Sequence, residues 1–318
     1  MDLKRFGGVV LVVLVLTAGQ RLWAALSEDE TVYSPELAAL SQRLRDSGRT
    51  DVMLASAELL VVSGGSLAKG TTLIANDRTH VFPSTFVEND ARRGSPFNTI
   101  TYLVDQSDGS VLSWNPTNTG VVTLSNAITE PEVDTSMAAW TTLKCNGPNV
   151  SKVADTGADP DLVDGLIAPF VYPVGTPFAD VTHAGWYPAS LFNAMVPNGG
   201  SSILGITFTF VFIDTAGNPT DIDRDGRPDT AFREIYYNRG FGWGTGSGST
   251  RNIDIQSVST HESGHGFGLA HFGKVFITNV GTIQFAPKAL MNAVYVSPDR
   301  TIYGSDSSSF CQIWSNSH

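Results

Sequence analysis

The sequence predicts an α+β fold, because apolar residues with helical spacing and apolar residues with strand spacing occupy separate segments of the chain. The segment ILGITFTFVFID (203–214) alternates at period two and predicts a strand with one wetter face. The segment PEVDTSMAAWTTLK (131–144) places Val133, Met137 and Trp140 on one face of a helix. At 318 residues and 42% hydrophobic, the chain is long and apolar enough to bury a sizeable core.

Residues 1–25 predict a signal peptide. Lys4 and Arg5 precede an apolar run of twelve residues (7–18), and small residues follow it. Twelve residues are fewer than the roughly 20 that a membrane-spanning helix needs. An uncleaved anchor or a buried core helix is the alternative. We therefore expect a secreted, extracellular protein, with the periplasm as a second possible location.

The net charge argues against two classes of partner. The formal charge is −11, and residues 1–25 carry three basic residues and one acidic residue, so their removal gives −13. An acidic surface repels nucleic-acid phosphates and anionic lipids. We expect no nucleic acid and no membrane as a partner after signal removal, and a monomer that acts on protein or peptide substrates.

Ahead of the main domain, the sequence predicts a smaller N-terminal segment. SPELAALSQRLRD (34–46) predicts an amphipathic helix, and AELLVVSGG (57–65) predicts a strand that ends in a glycine turn. The polar stretch ENDARRGSP (88–96) suits a linker, which places a boundary near residue 95. Residues 26–95 are then a small structural module or a pro-region, and residues 96–318 form the main domain.

Two further features follow the period-two strand. REIYYN (233–238) predicts a second strand, and five glycines at alternate positions in 240–248 predict a mobile loop. The two cysteines, Cys145 and Cys311, would meet oxidising conditions in an exported chain and could pair. Two buried free thiols are the alternative.

The most informative stretch is HESGHGFGLAH (261–271), which contains three of the six histidines. Asp254 can cap a helix through this stretch, and on that helix His261 and His265 lie one turn apart on one face. A glycine at position 268 can end the helix in the left-handed conformation and turn the chain back. His271 can then reach the same point in space as the other two imidazoles.

Three histidines with an open fourth position are typical of a catalytic zinc site, whereas closed structural sites commonly use four ligands. Glu262 follows the first histidine and can touch a water at the metal without taking a ligand position. The full spacing should arise by chance in about one chain of this length in 10⁵. We therefore predict Zn²⁺ bound by His261, His265 and His271, with Glu262 as the general base.

This pattern, HExxHxxGxxH, resembles the zinc signature of the metzincin metalloproteases. The downstream segment ALMNAVY (289–295) resembles their methionine turn and assigns that role to Met291. The chain looks most similar to the matrixins, in which a tyrosine four residues after this methionine lines the pocket for the residue after the scissile bond. Tyr295 has that offset, and Ala293 stands where matrixins usually have proline.

The resemblance implies a metzincin-type domain with a twisted mixed sheet, an active-site helix, and a loop-rich lower part that ends in a helix near 306–314. A Cys145–Cys311 bridge would fasten that helix to the first one. The segment LGITFTF resembles the family's edge strand, to which an extended peptide substrate binds. Matrixin pro-segments block zinc with a cysteine, but residues 26–95 contain none. An acidic residue such as Asp77 or Asp90 would have to replace it, or there is no such switch.

A second metal loop is predicted at DIDRDGRPD (221–229). Its aspartates stand at loop positions 1, 3, 5 and 9, with glycine at position 6, which is the spacing of a calcium-binding loop. The predicted ligands are Asp221, Asp223, Asp225, Asp229 and the backbone carbonyl of Arg227. Phe232 replaces the bidentate glutamate of an EF-hand, so we expect a single Ca²⁺ loop between strands that stabilises the protein. A solvated acidic turn is the alternative.

Together these features predict a secreted zinc endopeptidase that hydrolyses peptide bonds. A catalytically silent metzincin-like binding protein or adhesin that retains zinc is the rival from another class. A zinc hydrolase acting on a non-peptide amide or ester would use the same residues.

Overall fold

A computed structural model of the protein describes nine segments of the chain. They are residues 35–62, 72–74, 84–93, 99–106, 110–114, 120–145, 147–195, 198–246 and 252–314. The predicted signal peptide (1–25), Asp77 and the last residues of the glycine-rich stretch lie outside the described residues. Within them, no helix is both long enough and apolar enough to cross a bilayer.

The described residues form an α+β structure, which confirms the predicted class. The helices are α1 (Pro35–Asp46), α2 (Asn126–Thr141), α3 (Val163–Ile167), α4 (Ala189–Met195), α5 (Ile255–Gly266) and α6 (Gly304–Trp314). The main sheet contains β1 (Val52–Val62), β3 (Thr99–Val104), β6 (Asn149–Lys152), β7 (Val181–Tyr187), β8 (Ile203–Phe212), β9 (Thr230–Asn238) and β14 (Val294–Tyr295). Smaller sheets contain β2 (Thr72–Ile74), β4 (Val111–Trp114), β5 (Val121–Leu124), β10 (Trp243–Gly244), β11 (Ile253–Asp254), β12 (Lys274–Ile277) and β13 (Ile283–Ala286).

The main sheet is mixed, as predicted. Its strand order is β14-β1-β8-β9-β7-β3-β6. β8 is antiparallel to both of its neighbours, β1 and β9, whereas the other neighbouring pairs are parallel. β8 is therefore an inner strand of the sheet.

The prediction that β8 has one wetter face is wrong, because both faces of the sheet are covered. Every residue of β8 is buried. On one face, Phe208 shares an apolar cluster with Leu44 of α1. On the other face, the Thr207 hydroxyl donates a hydrogen bond of 2.6 Å to the Glu262 carboxylate of α5. The face of β8 that the alternating pattern assigned to solvent thus contacts the buried Glu262 side chain.

The helix predicted at 131–144 forms as α2, although it begins earlier, at Asn126, and Pro131 lies inside it. Its buried face contains the three predicted residues, Val133, Met137 and Trp140. α2 packs against α5, and the indole Nε1 of Trp140 donates to the Thr260 carbonyl at 2.9 Å. α2 therefore supports the helix that carries the histidine cluster.

The two cysteines form a disulfide, which decides between the alternatives left open by the sequence. Cys145 and Cys311 are bonded, with their Cα atoms 5.6 Å apart. The bond joins the segment after α2 to α6, close to the predicted position of the last helix. Trp140 of α2 stacks on Phe310 of α6, with ring centroids 5.6 Å apart.

β1 belongs to the N-terminal segment, yet it is an inner strand of the main sheet. It pairs antiparallel with β8 along nearly its whole length, from Val52 opposite Phe212 to Val61 opposite Ile203. At its end it pairs parallel with β14. β8, which was expected to be a free edge strand, is therefore covered by β1. The predicted boundary near residue 95 does not separate two sheets, because β1 precedes it and belongs to the main sheet.

The described part of the predicted linker is packed onto the sheet. Arg93 is buried, and its guanidinium donates to both carboxylate oxygens of Asp180, at 3.0 and 3.1 Å. Arg92 pairs with Asp90 at 2.6 Å and with Asp229 at 2.7 Å. Asp90, one of the two residues considered for blocking the metal site, is thus held in an ion pair with Arg92.

Candidate metal centre

α5 brings the three signature histidines together. The helix begins after Asp254, whose carboxylate accepts a hydrogen bond from the Ser257 amide at 3.0 Å, as the capping prediction requires. Gly268 has φ of +98°, a left-handed conformation that glycine adopts without steric cost. The chain therefore turns back after α5, and His271 meets the two helical histidines.

The Nε2 atoms of the three imidazoles converge on one point. They lie 3.1 to 3.2 Å from one another. Ligand nitrogens at roughly 2.0–2.1 Å from a tetrahedral zinc would lie about 3.3 Å apart. The observed triangle thus has the size of one face of a zinc tetrahedron.

The opposite ring nitrogens fix the tautomers. Nδ1 of His261 donates to the Leu290 carbonyl, and Nδ1 of His265 donates to the Leu269 carbonyl, each at 2.7 Å. Nδ1 of His271 lies 2.9 Å from a carboxylate oxygen of Glu58. For His261 and His265 the Nε2 lone pairs therefore face the centre of the cluster, an arrangement that a bound cation would stabilise.

Burial keeps these imidazoles neutral. It lowers the pKa of His261 and of His271 to about 3 and the pKa of His265 well below its usual value, and repulsion among the rings adds to this for His261 and His265. Neutral imidazole is the form that binds metals. Three neutral imidazole nitrogens form a donor set that suits Zn²⁺ and other imidazole-binding metals.

Glu262 is fully buried beside the cluster. The Thr207 hydroxyl donates to Oε2, and Oε1 has no hydrogen-bond partner among the described residues. A Cβ added to Gly205 of β8 would lie 2.5 Å from Oε1, so β8 passes directly against this carboxylate. Burial raises the pKa of Glu262 to about 8, near the value that suits proton transfer at neutral pH.

Glu58 of β1 is a site residue that the sequence analysis missed. Its Oε2 lies within ion-pair range of His271 Nδ1, although the two atoms are not aligned as a hydrogen bond. Burial raises the pKa of Glu58 to about 8. The signal in the sequence was the single charged residue within the apolar stretch VMLASAELLVV.

Met291 and Tyr295 both lie close to α5 and the residue that caps it. Met291 is buried, and its Sδ would lie 2.5 Å from a Cβ added to Gly264 of α5. The Tyr295 hydroxyl accepts a hydrogen bond from the Asp254 amide at 3.1 Å. Tyr295 also lines a cavity of about 60 Å³ together with His261 and Leu60.

The predicted calcium loop is only partly assembled. Carboxylate oxygens of Asp221, Asp223 and Asp225 lie within 4.8 Å of one another on the surface. Asp229 is instead buried in its ion pair with Arg92 and also accepts hydrogen bonds from the loop. The Arg227 amide donates to Asp225. The structure therefore groups three of the predicted ligands and uses the fourth to anchor the loop.

A buried acidic cluster beneath the sheet had no sequence signal. It contains Asp161, Asp164 and Glu234, whose carboxylates share the hydroxyl groups of Tyr187 and Tyr236. Burial raises the pKa of Asp164 to about 6 and of Glu234 to about 8. These residues lie in distant segments, so only the fold brings them together.

The pKa shifts predict a maximum in the stability of the metal-free protein. Above about pH 6.5, the unfolded state has lost the protons that folded Glu58 and Glu262 retain, so stability falls as the pH rises towards 8. Below about pH 4.5, unfolded histidines hold protons that folded His261 and His271 lack, so stability falls as the pH drops towards 3. Urea unfolding in a chelator from pH 3 to 9 should show this maximum.

In that series Glu262→Gln should reduce the slope above pH 6.5 by about 1.4 kcal/mol per pH unit, because one titrating carboxyl is removed. A stability that rises steadily from pH 5 to 9 would contradict the prediction.

Gly264→Ala should destabilise the centre. The new methyl would lie 2.5 Å from Met291 Sδ and 2.7 Å from Trp140 Cζ2, and such overpacking costs about 1–3 kcal/mol, which exceeds the gain in helix propensity. The matched control is Gly304→Ala in α6, where an added Cβ has nothing within 4 Å. Urea unfolding of both variants is the measurement, and equal stabilities would show that the fit around Gly264 is not tight.

The histidine cluster and Glu262 are closed to solvent. His261, His265, His271 and Glu262 are each at most 3% exposed.

No protein-family model matches this chain, and a comparison with curated proteins finds no match.

Proposed function

We propose that the protein is a zinc-dependent endopeptidase of the metzincin type, similar to the matrixins. The observation that carries this proposal is the convergence of the three histidine Nε2 atoms to within 3.2 Å of one another, with Glu262 on the same helix as two of them. A structural zinc site would not need this glutamate. The methionine beside α5 and the mixed sheet behind it support the same proposal.

Zinc bound by the three histidines would act as a Lewis acid and lower the pKa of a coordinated water. Glu262 would take a proton during attack on the scissile carbonyl and pass it to the leaving amine. The Thr207 hydrogen bond fixes Oε2 and leaves Oε1 free to hold that proton. Glu58 would orient His271 through its Nδ1.

The closed centre favours one alternative, a silent zinc-binding protein or adhesin. With the three histidines and Glu262 each at most 3% exposed, a peptide cannot reach Glu262 in this conformation. The silent protein would keep this conformation permanently, whereas the endopeptidase would have to open. A hydrolase of non-peptide amides would also have to open.

The remaining parts of the proposal concern calcium and location. Ca²⁺ would bind at Asp221, Asp223 and Asp225, where three exposed carboxylates repel one another without a cation. The disulfide is consistent with an oxidising compartment and supports the proposed secretion.

The first experiment is a zinc measurement on the chain from residue 26. We expect one zinc per chain, lost in His265→Ala and retained in the control His183→Gln. His183 is also a buried histidine, but its Nδ1 contacts the Tyr237 hydroxyl at 2.8 Å and it is not part of the cluster. Zinc bound equally by wild type and His265→Ala would refute the site.

Casein or gelatin cleavage, measured with calcium present, then tests the reaction. Zinc without cleavage in any conformation, including the opened forms described below, would favour the silent protein.

A further inference from the structure

The position of β1 explains why the metal centre is closed. β1 lies antiparallel to β8 and, at Val61 and Val62, parallel to β14. Backbone hydrogen bonds of this kind are how an extended peptide binds to a sheet edge. If β1 were absent, the same edge of β8 would be free to bind another strand.

The side chains of β1 that face α5 cover the site. Leu60 lies opposite Gly205, the residue whose backbone passes against Glu262. Its side chain lines the same cavity as His261 and Tyr295. Two residues earlier, Glu58 lies opposite Thr207 and contacts His271. Leu60 and Glu58 thus lie against two of the three histidines.

We propose that β1 is an internal occupant of the peptide-binding groove, bound between β8 and β14 with Leu60 in the pocket beside His261, and that the groove takes an extended peptide in the same direction once β1 leaves. The statement that the groove binds a peptide substrate rests on the proposed function. The binding of β1 in the groove is a separate statement and can be tested without any activity.

The first test compares two neighbouring leucines. Leu59 and Leu60 are both buried, at 4% and 2% exposure, but Leu59 belongs to the apolar cluster on the other face of the sheet. Leu59→Ala and Leu60→Ala should therefore lower the melting temperature by similar amounts. Only Leu60→Ala enlarges the cavity beside the metal.

The readout is the rate at which 1,10-phenanthroline removes zinc from the loaded chain. We expect Leu60→Ala to lose zinc at least ten times faster than Leu59→Ala. Equal rates for the two variants, or a Leu60→Ala rate no faster than wild type, would overturn the placement of Leu60.

The second test uses a nicked chain, so that it does not depend on a destabilised variant. A recognition site for a specific protease is inserted between Gly65 and Ser66, and the chain is cut after zinc loading. We expect zinc loss to accelerate on dilution, because the occupant is then held only by non-covalent contacts. A synthetic peptide of residues 52–62 should restore slow loss, and a scrambled peptide should not.

Nicked protein that keeps wild-type kinetics at every dilution, or that unfolds when the segment leaves, would show that β1 is a permanent strand and would overturn the inference. Faster zinc loss that the peptide reverses, but without cleavage of casein, would support the occupied groove and refute the endopeptidase. The failure of each proposal is therefore distinguishable.

Discussion

Glu262→Gln is expected to lower peptide-bond cleavage about 10³-fold while leaving one zinc per chain. Gln has nearly the same shape as Glu and can accept the Thr207 hydrogen bond, but it cannot take up a proton. Two quantities are measured, the zinc content and the rate at which a fluorogenic peptide is cleaved. The variant and the wild-type chain are compared in the conformation in which the wild type cleaves the peptide. Full activity in the variant would exclude Glu262 as the base.

Thr207→Val tests how the Thr207 hydroxyl positions Glu262, separately from the proton transfer by Glu262 itself. The Thr207 hydroxyl lowers the pKa of Glu262 against the larger effect of burial, so its removal should raise that pKa further. Because the base acts in its ionised form, the acid limb of the pH profile should then move to higher pH, with a smaller loss of activity than in Glu262→Gln. An unchanged profile would show that the hydroxyl does not set the proton affinity of Glu262.

Removing the disulfide is expected to produce the largest loss of stability. The bond joins residues 166 apart in sequence, and closing a loop of that length in the unfolded chain corresponds to about 5 kcal/mol in the chain-entropy model. The double variant Cys145→Ser, Cys311→Ser should therefore lose about 3–5 kcal/mol of unfolding free energy. Urea unfolding under oxidising conditions is the measurement.

Each single serine variant provides an internal control, because it already breaks the bond. Single and double variants should agree within about 0.5 kcal/mol. A double variant as stable as wild type would mean that the packing between α2 and α6 holds this region without the bond.

The histidine cluster could be predicted from the sequence because its members are close together in the chain. His261, His265 and His271 are brought together by one helix and one glycine turn, and both are local structures with local signals. The same holds for the capping of α5 by Asp254. The spacing of residues within one helix and one turn determines these contacts, so they do not depend on the pairing of distant segments.

Features that depend on distant pairing could not be predicted. Glu58 meets His271 across more than two hundred residues, and nothing in the spacing near either residue indicates that contact. The covered edge of β8 was missed for the same reason, because a period-two pattern predicts a strand but not its neighbours. The disulfide stayed an open alternative until the fold placed both cysteines.

If a proteolytic cut releases β1, the buried pair between Arg93 and Asp180 limits where that cut can fall. The Arg93 guanidinium also donates to the carbonyls of Val87 and Thr99, and it therefore fastens residues 84–93 to the sheet. A cut after Arg93 would remove the cation from a buried carboxylate and cost about 3–5 kcal/mol. A cut between residues 62 and 84 would release β1 and leave that pair intact. A cut that releases β1 and keeps the rest of the fold should therefore fall within this interval, and N-terminal sequencing of the product would locate it.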